Sequence, residues 1–363
     1  MDDLVSPSSA SVIPVKASRG EYLRGFGLLL LIAIVGLFIV KWEPYYQKAF
    51  IAAAHHTLGA SMISGKTAAP PTPSLGAAWN YAKAYYLSIW QALLLGLLLA
   101  ATVETLVPRD WIARVMGSSS ARSSALGGLL AIPGMMCTCC TAPVIVGMRK
   151  SGVSEGAATA FFLGNPTLNP AVLVFLIFTL GWQWAALRLA LGLALVIGGA
   201  ALAMRLTRGQ RTDVVAPPDL LAPTATPGGH WALRWLKSFG RLALTLIPEY
   251  VIIVLLLGAA RAWLFPAGFI LHGPALLVML GLAIAGTLFV IPTAGEIPII
   301  QTLMAFGLGA GGAGVLLLTL APLSLPSLAM VWRVFPKRVI FALVALTALM
   351  GIVAGIVAIG LGL

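Results

Sequence analysis

Apolar runs separated by short polar clusters recur along almost the whole chain. Runs of about 18 or more residues are long enough to cross a bilayer as helices. The pattern predicts helices over about 25–41, 79–107, 185–204, 243–264 and 339–361. Other apolar stretches are interrupted: "AIPGMMCTCCTAPVIV" near 131–146, "GNPTLNP" at 164–170, "VIPTAGEIP" at 290–298 and "APLSLP" at 321–326. Proline lacks the N–H that a helix needs and clashes with the preceding turn. Irregular backbone at membrane depth is tolerated only where protein buries it or where it lines a cavity. Alternating strands of about 10 residues, the mark of a membrane barrel, do not occur. The expected fold is therefore all-α, a polytopic membrane protein with re-entrant or broken-helix hairpins.

Composition agrees. Hydrophobic residues make up 60% of the chain and charged residues 9%, whereas soluble domains are about a quarter charged. Mean hydropathy is +0.98. The net charge of +12 would suit nucleic acid in a soluble chain. Here it reads as Lys and Arg gathered in cytoplasmic loops, and no nucleic-acid partner is expected.

The bilayer itself is the first partner. Lys16, Arg19 and Arg24 place the N-terminus inside, ahead of an uncleaved first helix. Arg109, Arg114 and Arg122, the Arg149-Lys150 pair, Arg205, Arg208 and Arg211, Arg234, Lys237 and Arg241, and Arg333 with Lys337 and Arg338 all fall on that side. Keeping Arg149 and Lys150 inside requires the cysteine-bearing segment to enter and leave by the same face. Lys41, Lys48, Lys66, Lys83 and Arg261 lie at or beyond the outer ends, and Arg188 is placed to snorkel outward.

The two halves of the chain match. "LLLAATVETLVP" at 97–108 lines up with "LLLGAARAWLFP" at 255–266. Farther along, Pro143 meets Pro298, Gly152 meets Gly307 and Gly156 meets Gly311. The turn "MRKSG" is basic, while its counterpart "MAFGLG" carries no charge. That contrast predicts two repeats inserted upside down relative to each other. Inverted repeats with broken helices near the midplane mark secondary transporters, and the breaks mark their substrate site. The expected division is an N-terminal tail, first helix and outside loop over 1–78, repeat 1 over 79–207, a cytoplasmic linker over 208–236 and repeat 2 over 237–363. No GxxxxGK[ST] loop is present, so no built-in ATPase is expected. The chain reads as a transporter and not an enzyme, without a cofactor.

Chemistry concentrates at the breaks. The three cysteines of the chain, Cys137, Cys139 and Cys140, share one four-residue window. Thiolates are soft ligands that select Cu(I), zinc, mercury-like cations and trivalent arsenic over hard ions. The cluster is a candidate site for a soft metal or metalloid carried as substrate. A small-molecule or metalloid partner is therefore expected. Zinc usually takes four ligands, and His55 and His56 sit far away in sequence. Glu296 stands at the second break, opposite Thr141 of the first. A carboxylate at membrane depth is costly and usually functional, so Glu296 is the candidate proton-coupling residue. Thr138, Thr141, Pro143, Asn165, Asn169 and Thr293 complete the candidate substrate-binding set. A homo-oligomer is compatible with this reading.

The strings "CTCCTAPVIVGMRKSGVSEGAATAFFLGNPTLNP" and "VIPTAGEIPIIQTLMAFGLGAGGAGVLLLTLAPLSLP" resemble the predicted-permease family that includes the ArsP-type organoarsenical efflux permeases. The resemblance covers roughly 80–340. It implies a multi-pass permease of the cell inner membrane. Its arsenical branch expels trivalent organoarsenicals, with protons as the implied counter-ion. On this sequence it places Cys137, Cys139, Cys140 and Pro143 at the substrate break. Family breaks often read Cys-Ser-Cys followed by Gly, whereas this chain has Cys-Thr-Cys-Cys followed by Thr141. The added thiol leaves a different soft substrate open. Three alternatives to the exporter stand beside it: an importer of a sulfur-containing anion such as thiosulfate, a membrane enzyme or thiol-redox protein, and a structural or assembly factor.

Overall fold

The computed structural model describes residues 19–67, 69–208 and 231–363. Every regular element among them is helical: α1 (Arg19–Leu37), α2 (Glu43–His55), α3 (Leu75–Thr105), α4 (Arg109–Met116), α5 (Ala121–Ala131), α6 (Thr138–Lys150), α7 (Glu155–Thr167), α8 (Pro170–Thr179), α9 (Trp182–Thr207), α10 (Trp231–Leu264), α11 (Ala267–His272), α12 (Ala275–Leu288), α13 (Glu296–Ala305), α14 (Ala310–Thr319), α15 (Leu325–Val331) and α16 (Lys337–Gly360). Among the described residues, six helical stretches, two of them briefly interrupted, are long and apolar enough to cross a membrane: Gly25–His55, Leu75–Thr105, Glu155–Thr179, Trp182–Thr207, Trp231–His272 and Lys337–Gly360. The protein is an all-α, multi-pass membrane protein.

Local sequence sets the helix starts. Ser74, Ser120 and Ser154 each accept a backbone N–H three residues on, capping α3, α5 and α7. Such caps satisfy N–H groups that the first turn leaves free. Asn169 caps α8 twice over, taking Ala171 N and Val172 N, with Pro170 preset for the first helical position.

The bundle is apolar outside and carries polar groups within. Leu30, Ile34, Leu244, Leu256, Leu349 and Ile356 are exposed, while Glu296, Arg188, Asn165, Asn169 and Thr141 are buried. Lipid is as apolar as leucine, so close packing and interhelical hydrogen bonds hold the helices together. The long helices α3 and α10 pack along each other, α7 lies between α5 and α9, and α14 lies against α16. The short α6 is enclosed by α3, α7 and α15.

The first helix departs from expectation. It does not end near 41: a π turn at Phe38–Trp42 carries it into α2, and helix continues to His55. Pro44 follows the π turn directly, inside this continuous helix, where its missing N–H takes one bond out of the regular ladder. Tyr45 of α2 is buried edge-on against Phe175 of α8. The polar look of "KWEPYYQK" therefore reflects one face turned into the protein. Among the described residues, the irregular part of the expected loop falls within 56–67 and 69–74. Lys16 and most of the 208–236 linker lie outside the described residues. The chain is already helical at Trp231, ahead of the expected start near 243.

Candidate functional site

The first break is built around residues 132–137. A short 3-10 turn, Ile132–Gly134, leads to Met135 at φ 48° and then to Cys137, which precedes α6 in extended conformation. Trp42 Nε1 donates to the Pro133 carbonyl at 2.9 Å, tying the first helix to this break. Cys137 heads α6 without a side-chain cap.

The winding of α6 gathers the thiols. Cys137 Sγ lies 2.7 Å from Cys139 Sγ and 3.2 Å from Cys140 Sγ, and Cys139 and Cys140 are 3.8 Å apart. All three are free and buried. Their sulfurs lie within 4.8 Å of one another, close enough for one soft atom to bind two or three of them. Gly96 of α3 permits this placement. A Cβ there would stand 2.3 Å from the Cys140 carbonyl oxygen.

Two tyrosines that sequence reading did not single out complete the thiol shell. Tyr85 donates its hydroxyl to Cys139 Sγ at 3.1 Å and hydrogen-bonds the Tyr250 hydroxyl. Both are fully buried. Buried tyrosine hydroxyls usually find a partner, but nothing in an apolar helix tells which.

The remaining predicted residues divide between the site and its scaffold. Thr141 Oγ1 donates to the Cys137 carbonyl at 3.0 Å. Thr138 Oγ1 lies 3.3 Å from Ser324 Oγ, in the "APLSLP" break of the second half. Pro143 sits inside α6 and has no N–H to give the Cys139 carbonyl. Asn165 Nδ2 donates to the Phe161 carbonyl one turn back, and Asn169 serves as the α8 cap. Asn165 Oδ1 and Asn169 Nδ2 are buried without a hydrogen-bond partner among the described residues.

The second break brings Thr293 and Glu296 to the same region. Cys137, Pro166, Thr293 and Glu296 line one constricted cavity. Glu296 opens α13 and is 1% exposed. Arg188 Nη1 stands 2.8 Å from its Oε1. The N–H is not aimed along that line, so charge holds the pair rather than an aligned hydrogen bond. Arg188 gives its aligned N–H groups to the carbonyls of Pro166, Thr167 and Leu317, at 2.8, 3.3 and 3.1 Å. It does not snorkel outward. It is buried where the breaks free backbone carbonyls, because only a long multidonor side chain can satisfy several at once.

Lys41 is the second misplaced cation. Expected at an outer helix end, it is 5% exposed. Its Nζ contacts Tyr45 Oη at 3.1 Å and Thr293 Oγ1 at 3.4 Å. A larger cavity of about 390 Å³, lined by Lys41, Tyr45, Lys48, Pro292, Thr293 and Gly295, shares the 292–294 segment with the constricted one.

Glu104, Glu249 and Glu155 serve elsewhere. Glu104 takes Arg241 at 2.7 Å, Ser238 at 3.1 Å and Lys150 at 3.5 Å. Glu249 pairs with Arg333 at 3.4 Å. Arg149 and Glu155 form a buried pair beside the α6–α7 turn.

Comparison with known proteins agrees with the layout. A family model described as "Predicted permease", ArsP_1, matches residues 23–157 and 74–359. The chain is 45% identical over 328 residues to UPF0718 protein YraQ of Escherichia coli (strain K12), covering 90% of this chain and 93% of that one. It is 22% identical over 335 residues to UPF0718 protein MJ0584 of Methanocaldococcus jannaschii, covering 74% and 90% respectively. No solved structure matches. With broken helices meeting in a buried polar centre and a family model spanning nearly its full length, the chain belongs to the ArsP_1 predicted-permease family and is a membrane permease rather than an enzyme.

Proposed function

We propose that the protein is a secondary transporter that exports a soft, thiol-reactive solute through the space between its two breaks. The observation that carries this reading is the set of three buried free thiols at the head of α6, on the same small cavity as Thr293 and Glu296. A trivalent organoarsenical or a heavy-metal species has the matching chemistry. For an arsenical, each As–S bond that forms releases one hydroxide from arsenic, which leaves as water with the thiol proton. Reversal of the same step frees the solute, so capture needs no oxidant.

Several matched features support an inverted-repeat arrangement. Helices begin at Ala121 and Ala275, Glu155 and Ala310, and Trp182 and Lys337, in the same order in each half. Both α6 and α13 end in a turn closed by a glycine of positive φ, Gly152 at 92° and Gly307 at 107°. The two turns share their bonds: Gly152 N to Arg149 O and Val153 N to Met148 O, Gly307 N to Met304 O and Leu308 N to Leu303 O. Glycine suits both because it reaches this conformation without steric cost. At 13 and 10 residues, α6 and α13 run about 20 and 15 Å. The hydrocarbon core is about 30 Å thick, so each fits a half-span that turns back. In this reading the N-terminus is cytoplasmic, which the charge asymmetry supports, and the membrane is the cell inner membrane that the family resemblance implies.

In this reading Glu296 couples transport to protons. Protonating it cancels the charge that pairs Arg188. Arg188 also holds the carbonyls of both halves' breaks, so loss of the pair loosens the seam along which the halves rock.

The test is flux into everted vesicles of methylarsenite, arsenite and mercuric ion, with wild type and Cys137→Ser, Cys139→Ser and Cys140→Ser. Reduced flux is expected in each single variant, which keeps one sulfur pair but loses the third sulfur that hands the solute on. Wild-type flux in all three would end the thiol-carrier reading. Glu296→Gln should transport without responding to an imposed pH gradient; a full response would remove Glu296 from the coupling role.

A further inference from the structure

We infer that the cavity beside Lys41 is an anion subsite, and that the solute carries a negative charge on the end away from its soft atom. This rests on the proposed thiol site and narrows its substrate class. Lys41 is 5% exposed, yet no carboxylate pairs with it among the described residues. Its polar contacts are two neutral hydroxyls, those of Tyr45 and Thr293. Burying an ammonium without an opposite charge is expensive, and real proteins pair or hydrate such groups. Here the ammonium lines a cavity of about 390 Å³, large enough for a small anion with some of its water.

The rest of the lining has the same sign. Lys48 reaches the same cavity and lies 6.0 Å from the Tyr45 ring centre, with Lys41 at 5.2 Å from it. The positive ends of α6 and α13 open on the adjoining breaks, and neither has a side-chain cap. Helix N-termini favour anions. The one carboxylate that lines either cavity, Glu296, is already matched by Arg188. Apart from the thiols of Cys137 and Cys140, which act on Lys41 from the neighbouring break, the cavity lining is positive, and through the 292–294 segment it adjoins the space that Cys137 lines. A solute spanning both would place sulfur or metalloid on the thiols and a charged oxygen on Lys41. A thio-oxyanion has this form.

The test heats purified full-length protein in detergent with sodium thiosulfate, sodium sulfate or sodium gluconate at matched ionic strength. A ligand that binds only the folded state raises the melting temperature. Thiosulfate and sulfate should do so and gluconate should not. Lys41→Gln should raise the half-maximal thiosulfate concentration about tenfold or more, as loss of a charge-assisted contact does, while Lys41→Arg keeps it. Cys137→Ser should weaken the thiosulfate response and spare that of sulfate.

Equal responses to all three salts in wild type would overturn the proposal, and that comparison stands even if Lys41→Gln fails to fold. Wild-type thiosulfate affinity in a folded Lys41→Gln would overturn it too, including where maleimide labelling of the cysteines changes, because Lys41 would then serve a resident thiolate. The two readings fail separately. An intact anion response with unchanged flux in the cysteine variants removes the thiol carrier alone. Lost flux in those variants without any anion response removes the anion subsite alone.

Discussion

Arg188 Nη1 lies 2.8 Å from Glu296 Oε1, and both side chains are buried, at 1% and 2% side-chain exposure. The first residue comes from α9 and the second from the start of α13. The pair therefore joins the two halves of the chain at the level of the breaks. Arg188 adds carbonyl contacts to Pro166 and Thr167 of one half and Leu317 of the other.

This arrangement orders the stabilities of the variants. Removing one partner of a buried pair costs about 3–5 kcal/mol, because the other charge stays uncompensated. Arg188→Met should be the least stable variant, since it strips Glu296 and three carbonyls together. Glu296→Gln should be milder, because Arg188 keeps those carbonyls. Combining the two should cost less than the sum of the singles. Thermal unfolding of the full-length protein in detergent reads the order, and strict additivity would argue against coupling.

The thiol geometry predicts the response to bidentate reagents. All three sulfurs lie within 4.8 Å, so any single Cys→Ser variant keeps one usable pair. Phenylarsine oxide should still bind each single variant at one equivalent, by mass spectrometry of the intact protein. Any double variant should lose that equivalent. Binding to a double variant would mean that one sulfur suffices.

Gly96 controls how close α6 comes to α3. A methyl group there would fall 2.3 Å from the Cys140 carbonyl, a backbone atom that cannot turn aside. Gly96→Ala should push α6 outward, lower the melting temperature and speed maleimide labelling of Cys140. Overpacking of this kind costs typically about 1–3 kcal/mol. Gly240→Ala, where no atom lies within 4 Å, should leave labelling unchanged.

Tyr85 makes two hydroxyl contacts, to Cys139 and to Tyr250. Tyr85→Phe keeps the ring and removes both. The loss of a buried hydrogen bond is worth about 1 kcal/mol, which lowers stability by that order. Cys139 Sγ also loses the donor that would stabilise it on losing its proton, so its labelling rate should fall severalfold. An unchanged rate would show that the hydroxyl does not act on the sulfur.

Each of the four proline-bearing stretches contains a rupture, while Pro143 and Pro166 of those same stretches stay inside helices; proline marks where a helix is weakened, and the surrounding protein decides whether it breaks. Cys137, Cys139, Cys140, Thr293 and Glu296 were legible for the same reason: each stands in or beside such a rupture. Lys41, Arg188, Tyr85 and Tyr250 were not. Hydropathy identifies a spanning helix by its mean, and one polar residue in such a helix shows no direction. A cation near a helix end also reads naturally as interfacial. Lys41 is buried only because a π turn carries the helix on past it into α2, and Arg188 only because three freed carbonyls lie across from it.

Residue order alone settles that this chain crosses a membrane as helices, in which stretches those helices are weakened, and that its thiols and one acid stand in those stretches. These follow from local covalent chemistry and from lipid's intolerance of unpaired backbone. Folding alone decides that Arg188 meets Glu296 and that Lys41 faces Thr293, 252 positions away. Both pairings depend on the rotation and depth of separate helices, which side-chain packing sets once they meet in the bilayer.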